Sequence, residues 1–265
     1  TISVARLEQL SPALLELGCP ARVYIPLEEV SRLESLPGEG PEWCAVLPRV
    51  WRDRDEPALR TLLERARALG FTGVLIGNLG HLPLVRGLNF HLYGDYGLNV
   101  FNSRSLAYLK DKELESACVS FELRFAQIRD LKKVLRAEAI VYGRLPLMIA
   151  ENCLVQNETG CRLDRQGPCV PEDGPCRCGQ PNVLVDRTGA AFPLLPAYGH
   201  RTEIQNSKPL YLADRPEHRR LGLAYARLRF TTETAEECVS VVQNYLDAAP
   251  AAGDFTRGLY ERGVE

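Results

Sequence analysis

The chain has 265 residues, 45% hydrophobic and 25% charged, with 32 Lys and Arg against 34 Asp and Glu. That length buries one large core, and α/β barrels of this size are commonly single domains. A formal net charge of −2 argues against a broadly basic nucleic-acid surface. No apolar run reaches the ~18 to 20 residues that cross a bilayer, and the opening TISVARLEQL lacks the layout of a secretion signal, so a cytoplasmic protein without a membrane partner is expected.

Short β-branched runs alternate with helical stretches, the spacing of βαβ units on a parallel sheet. ISVA at 2–5 reads as the first strand, and Leu7 to Leu17 as an amphipathic helix ended by Gly18 and Pro20. RVYIP at 22–26 and WCAVLP at 43–48 are the next strands, and Glu56 to Leu69 is a helix with Pro57 in its first turn and Gly70 past its end. The alternation continues through VLIG at 74–77, a short helix near 81–86, FHLYG at 90–94 and a helix from about Ser103. SACVSF at 116–121, a helix over Arg124 to Leu135 and AIVYG at 139–143 follow. ARLRF at 226–230 completes about eight strands, with Ala235 to Ala248 as the last helix. Eight parallel strands inside a ring of helices make a TIM-like (β/α)8 barrel; an open doubly wound sheet shows the same alternation.

Over residues 145–222 the alternation breaks, and this stretch reads as an insert after the seventh strand, on the face where barrel sites are built. VLVDRTGAAFPL at 183–194 has two strand-like runs around Thr188-Gly189 and predicts a β-hairpin. Of nine cysteines, Cys19, Cys44, Cys118 and Cys238 lie scattered in apolar or helical contexts and are expected as small core residues. The other five, Cys153, Cys161, Cys169, Cys176 and Cys178, crowd into one polar, Gly- and Pro-rich stretch. A long helical chain is not a secreted disulfide scaffold, and thiolates held together in one loop can surround zinc or an iron–sulfur cluster. The spacing contains no C-x2-C pair and is not a zinc-finger pattern.

YGRLPLMIAENC, VDRTGAAFPL, RTEIQNSKPL and RLRFTTETAEE, with GDYGLNVFNS at 94–103 and VSFEL at 119–123, resemble blocks of the peptidase U32 family. The likeness is to the second barrel unit of long U32 proteins, usually labelled collagenase-like proteases. The resemblance implies a TIM-like barrel and a 4Fe–4S cluster held by four cysteines. Cys153 and Cys161 fall on the family's first pair and Cys178, in CGQP, on its third ligand. The family's fourth cysteine falls near NSKPL, where this chain offers only Tyr211, or just before RTEI, where it offers His200, so that either His200 completes the set or Cys176 or Cys169 does. Zinc is the alternative metal.

Polar residues after the strands are candidates for a barrel-mouth site: Asn78, Asp95, Asn99, Glu122 and Arg144. Asp95, Asn99, Glu122 and Arg144 are taken as the catalytic set, with Arg144 placed to hold an anion or to pair with Glu151. Asp95 and Asn99 read equally well as turn and cap residues. Among the histidines, His81 reads as a cap or surface group, His91 as a core residue if inward, and His218 as solvated. No G-x-S-x-G or H-E-x-x-H occurs.

Two functions are therefore carried forward. One is an iron–sulfur-dependent U32 enzyme, either an oxygen-independent hydroxylase of RNA or a small aromatic substrate or the collagenase-like protease of the family label. The other is a non-catalytic, metal-stabilised barrel packing on the catalytic unit of a longer U32 chain. The start at Thr1 and a single methionine, Met148, predict that such a remainder exists and is a partner, beside a peptide, RNA or small-molecule substrate.

Overall fold

The computed structural model describes residues 1–159 and 180–263. Its elements run β1 (Ile2–Ser3), α1 (Pro12–Gly18), β2 (Arg22–Pro26), β3 (Glu42–Val46), α2 (Glu56–Ala68), β4 (Gly73–Ile76), α3 (His81–Val85), β5 (His91–Gly94), α4 (Ser103–Asp111) and β6 (Ser116–Cys118). They continue with α5 (Phe125–Asp130), β7 (Arg136–Gly143), β8 (Pro146–Ala150), α6 (Leu154–Thr159), β9 (Asn182–Val185), β10 (Ala191–Ala197), β11 (Arg201–Gln205), β12 (Leu210–Tyr211), β13 (Tyr225–Arg229) and α7 (Ala235–Leu246).

Strands β1 to β7 pair in parallel in chain order, and β13 closes the ring by pairing with both β7 and β1. The result is the closed eight-stranded parallel barrel, and the open-sheet alternative is excluded. Side chains alternate across it with period two: Val23, Ile25, Val74 and Ile76 are fully buried at the outward positions, while Tyr24, Cys44, Leu75 and Tyr93 form one buried cluster at the inward ones. Leu59, Leu63 and Ala66 of α2 recur at helical spacing and are fully buried as well.

Helix ends follow local chemistry. The Asn102 carboxamide accepts from the backbone N–H of Arg104 and Ser105, both at 3.0 Å, and starts α4. Thr234 and Glu237 form a reciprocal capping box on α7. The helix expected over Leu7 to Leu17 is interrupted. A single tight turn at Leu7–Gln9 precedes α1, because the buried Gln9 side chain accepts from the N–H groups of Ala5 and Arg6 and Ser11 caps a new helix at Pro12.

The chain resolves into two compact units, Thr1–Gly143 with Leu210–Glu265, and Arg144–Pro209. Gly143 ends β7 at φ 118°, and a Cβ there would lie 2.0 Å from the Arg229 carbonyl oxygen, so only glycine fits. The second unit is an antiparallel sheet in the order β8-β11-β10-β9. Its β9–β10 hairpin turns at Asp186 to Gly189, where the Asp186 carboxylate accepts from the N–H groups of Thr188 and Ala190. Residues 210–222 lie with the barrel unit, since β12 pairs antiparallel with β7. Among the described residues no helix is long and apolar enough to cross a membrane.

Candidate functional site

The inward positions of the barrel carry charge as well as apolar bulk. Arg227 on β13 is 1% exposed; its guanidinium donates to Asp95 at 2.5 Å and to Glu138, and it lies over the Tyr24 ring. Glu138 also accepts from the Tyr24 hydroxyl at 3.2 Å. Burial, the largest single influence, pushes the Glu138 carboxyl up, yet the Arg227 guanidinium, with the Thr1 hydroxyl and ammonium adding to it, holds Glu138 below the ordinary range. Nearer the N-terminal ends of the strands, Arg22 bonds Glu42 and Ser116 at 3.1 and 2.9 Å and lies between the Tyr93 and Tyr225 rings. The thiols of Cys44 and Cys118 are fully buried, and burial pushes both up, out of the range of a reactive thiolate.

At the opposite, C-terminal ends of the strands the pattern changes. Tyr96, two residues past β5, has the Arg49 guanidinium 5.2 Å and the Arg229 guanidinium 5.8 Å from its ring centroid, with the Phe121 ring at 5.8 Å. Arg49 follows β3, Arg229 ends β13 and Phe121 follows β6, so parallel topology alone brings them to one mouth. Glu28, after β2, is half-buried, and burial pushes its carboxyl up to about 7, with Glu29 adding to the shift. Beside the mouth, the loops after β3, β4 and β5 and the first turns of α4 enclose an open cleft of about 730 Å³.

Of the expected catalytic set, Asp95, Asn99 and Glu122 belong to the barrel unit and Arg144 to the second unit. Asp95 stands directly after β5, but its carboxylate is 4% exposed and bound to Arg227, inside the barrel. Asn99 is exposed at φ 49° and ends the turn Tyr96–Leu98, the conformation an Asn tolerates at a turn. Glu122 is half-buried after β6. Arg144 belongs to the second unit, where it donates to the carbonyls of Asn206, at 3.0 Å, and Ser207. Glu151 accepts two bonds from Arg201, at 2.7 and 2.9 Å.

Three histidines differ from their sequence reading. His81 is fully buried rather than a surface group: its Nε2 donates to the Pro48 carbonyl at 3.1 Å, and burial pulls its pKa down to about 4. His218 is 7% exposed rather than solvated, with Nδ1 at 2.5 Å from the Arg215 carbonyl and Tyr245 beside its ring. His91 is exposed and bonds Glu115. Cys19 is likewise exposed, at the end of α1, and not a core residue.

Of the expected metal ligands, Cys153 and His200 fall in the second unit. Cys153 is a buried, unbridged thiol just before α6, and His200 sits at φ 60° in the turn between β10 and β11. Cys161, Cys169, Cys176 and Cys178 lie outside the described residues. Among the described residues no three His, Cys, Asp or Glu side chains group as a metal site. Cys153 fits a soft metal in kind, as a reduced thiol withdrawn from solvent.

The sequence reading missed Glu28, Arg49, Tyr96 and Arg229. The signal was present for Glu28 and Arg49, which stand two and three residues past strand ends, as Asn78 does.

A family model described as "Peptidase family U32" matches residues 36–182, more than half of the chain. Among solved structures, that of the U32 peptidase Mk0906 aligns over 88% of this chain and 93% of its own length, at 8% sequence identity and a TM-score of 0.45. No curated protein matches significantly.

Proposed function

The chain belongs to peptidase family U32, and from that premise we propose that it is an iron–sulfur-dependent enzyme whose barrel mouth binds an anionic substrate, in the class of oxygen-independent hydroxylation of RNA or a small aromatic compound. The observation that carries this reading is the pair of guanidiniums, Arg49 and Arg229, flanking Tyr96 at the C-terminal ends of the strands. Cations and an aromatic face together recognise an anionic ring system better than a neutral peptide bond.

Among the described residues of the barrel, several groups that a thiol peptidase could use are engaged otherwise. The barrel thiols are raised by burial, His81 is held uncharged against Pro48 and His91 is tied to Glu115. Cys153, Cys161 and Cys178, with His200, Cys176 or Cys169 as the fourth donor, would hold the cluster; when bound, a 4Fe–4S cluster supplies single-electron transfer. Arg49 and Arg229 then orient the substrate, and Glu28, whose carboxyl titrates near neutrality, holds or accepts a proton at the mouth.

One observation favours the second reading, a non-catalytic barrel module with zinc in the cysteine-rich unit. Asp95 and Asn99, two of the four expected catalytic residues, have structural partners or turn roles. Anaerobic purification with iron analysis and a visible spectrum separates the two. About four irons per chain and a broad band near 400 nm, both reduced in Cys153→Ser and Cys161→Ser and unchanged in the exposed-site control Cys19→Ser, support the enzyme. One zinc and no colour would leave the module, and equal metal in all three variants would remove the cysteine assignment.

A further inference from the structure

In the second unit, two links converge on the segment that carries Cys153. β8 and β11 pair antiparallel as far as Ala150 opposite Thr202, which sets Glu151 opposite Arg201 one step further on. There the Arg201 guanidinium grips the Glu151 carboxylate through two bonds, at 2.7 and 2.9 Å, and donates a third, at 3.0 Å, to the Tyr198 carbonyl. Gly199, at φ 70°, leaves room for that reach, since a Cβ there would lie 2.6 Å from the guanidinium. Three residues past Glu151, the Leu154 N–H donates to the Thr202 hydroxyl at 3.0 Å. Cys153 stands between the two held positions, buried and unbridged.

The sheet alone does not call for this arrangement. The Arg201 side chain is 4% exposed but its partner carboxylate is 59% exposed, and an ion pair open to water on one side contributes little to stability. An apolar residue at the start of β11 would close the ladder without burying a cation. What the guanidinium fork supplies is direction: two parallel N–H···O bonds fix a carboxylate in plane and angle, which a point charge does not. With Glu151 held on one side and Leu154 on the other, the backbone around Cys153 is tied to residues 50 and 48 positions away in sequence. A soft-metal site needs its ligands held close to the productive geometry before the metal arrives, and Cys153 is one of the thiols that the proposed cluster would use.

We propose that Arg201 is the positioning residue of Cys153: locked on Glu151, it presets the thiol for a soft metal, with Thr202 as the second tie. This rests on the metal-binding role proposed for the cysteine-rich unit and adds to it the residue that orients one of its ligands. The test is titration of the full chain, stripped of metal with a chelator and kept without oxygen, with Co2+, read by the thiolate-to-cobalt absorption band and the dissociation constant. Arg201→Lys keeps the charge and loses the fork. It is expected to bind Co2+ about 10-fold more weakly, the scale of a residue that orients a metal ligand, with a melting temperature within ~3 °C of the wild type; a role in the sheet alone would leave the Co2+ affinity where it is. Arg187→Lys, in the exposed β9–β10 turn, is the control and binds as the wild type does. Should Arg201→Lys melt lower than that, Thr202→Val, which removes only the tie to Leu154, carries the test and is expected to weaken Co2+ binding in the same direction. Wild-type affinity in whichever variant is read overturns the positioning role. Wild-type protein without a thiolate band removes the metal site and the positioning role together, whereas wild-type protein that is purified with zinc and no iron removes the proposed enzyme and leaves Arg201 its role.

Discussion

The interior of the barrel and its mouth both contain arginines beside tyrosines, yet the two places use them differently. Inside, each guanidinium is matched to carboxylates of the same chain: Arg227 to Asp95 and Glu138, Arg22 to Glu42. At the mouth, Arg49 and Arg229 share the ring of Tyr96, and no Asp or Glu is among the described residues that line the adjoining cleft. Charge that is neutralised within the chain serves the fold; an exposed guanidinium on an open cleft, such as that of Arg104, is available to a ligand.

The sharpest way to break that contrast is to remove an interior cation. Arg227→Met leaves Asp95 and Glu138 buried without their partner, and a loss of ~3–5 kcal/mol in unfolding free energy is expected from urea denaturation. The next effect depends on pH. Glu28 titrates near 7 in the folded chain against an ordinary value of 4.5, so the folded state prefers the protonated form. Its cost to stability is absent below the ordinary value, grows as pH rises through that window and is complete above 7. Glu28→Gln should therefore stabilise the protein by about 1–3 kcal/mol at pH 8 and by little at pH 4; equal gains at both pH values would contradict the shift. A smaller effect is expected at the mouth: Tyr96→Leu removes the ring both guanidiniums share and should cost about 1–2 kcal/mol of stability, read by the same urea denaturation; an unchanged unfolding free energy would show that the ring contacts contribute nothing.

Most of the barrel is legible in the sequence because β-strands and amphipathic helices announce themselves by period. RVYIP at 22–26 is a strand to the residue, and each later barrel strand falls within a few residues of its expected place, whereas β8, β11 and β12 are not anticipated. Less legible is what faces inward. Asp95 and Arg227 are 132 residues apart, and no local pattern announces that the two meet; Asp95 thus reads as a mouth residue although its carboxylate points into the barrel. His81 and His218 owe their burial to tertiary cover, Trp51 beside the first and Tyr245 beside the second, which a reading of neighbouring polar residues misses. The missed mouth residues have a different cause. Arg49 stands just past a strand end, as the named candidates do, but Arg229 is the last residue of its own strand, and only the closed ring of strands brings the two to one end.

The most direct test of the contrast is a pair of unfolding measurements under one condition, Arg227→Met beside Arg104→Met, the second an exposed residue of the cleft. A loss of ~3–5 kcal/mol in the first and of no more than about 0.5 kcal/mol in the second, the scale of an exposed substitution, is the predicted result. Equal losses would mean that Arg104 is as much a part of the folded framework as Arg227, and the division between a structural interior and an open mouth would fall.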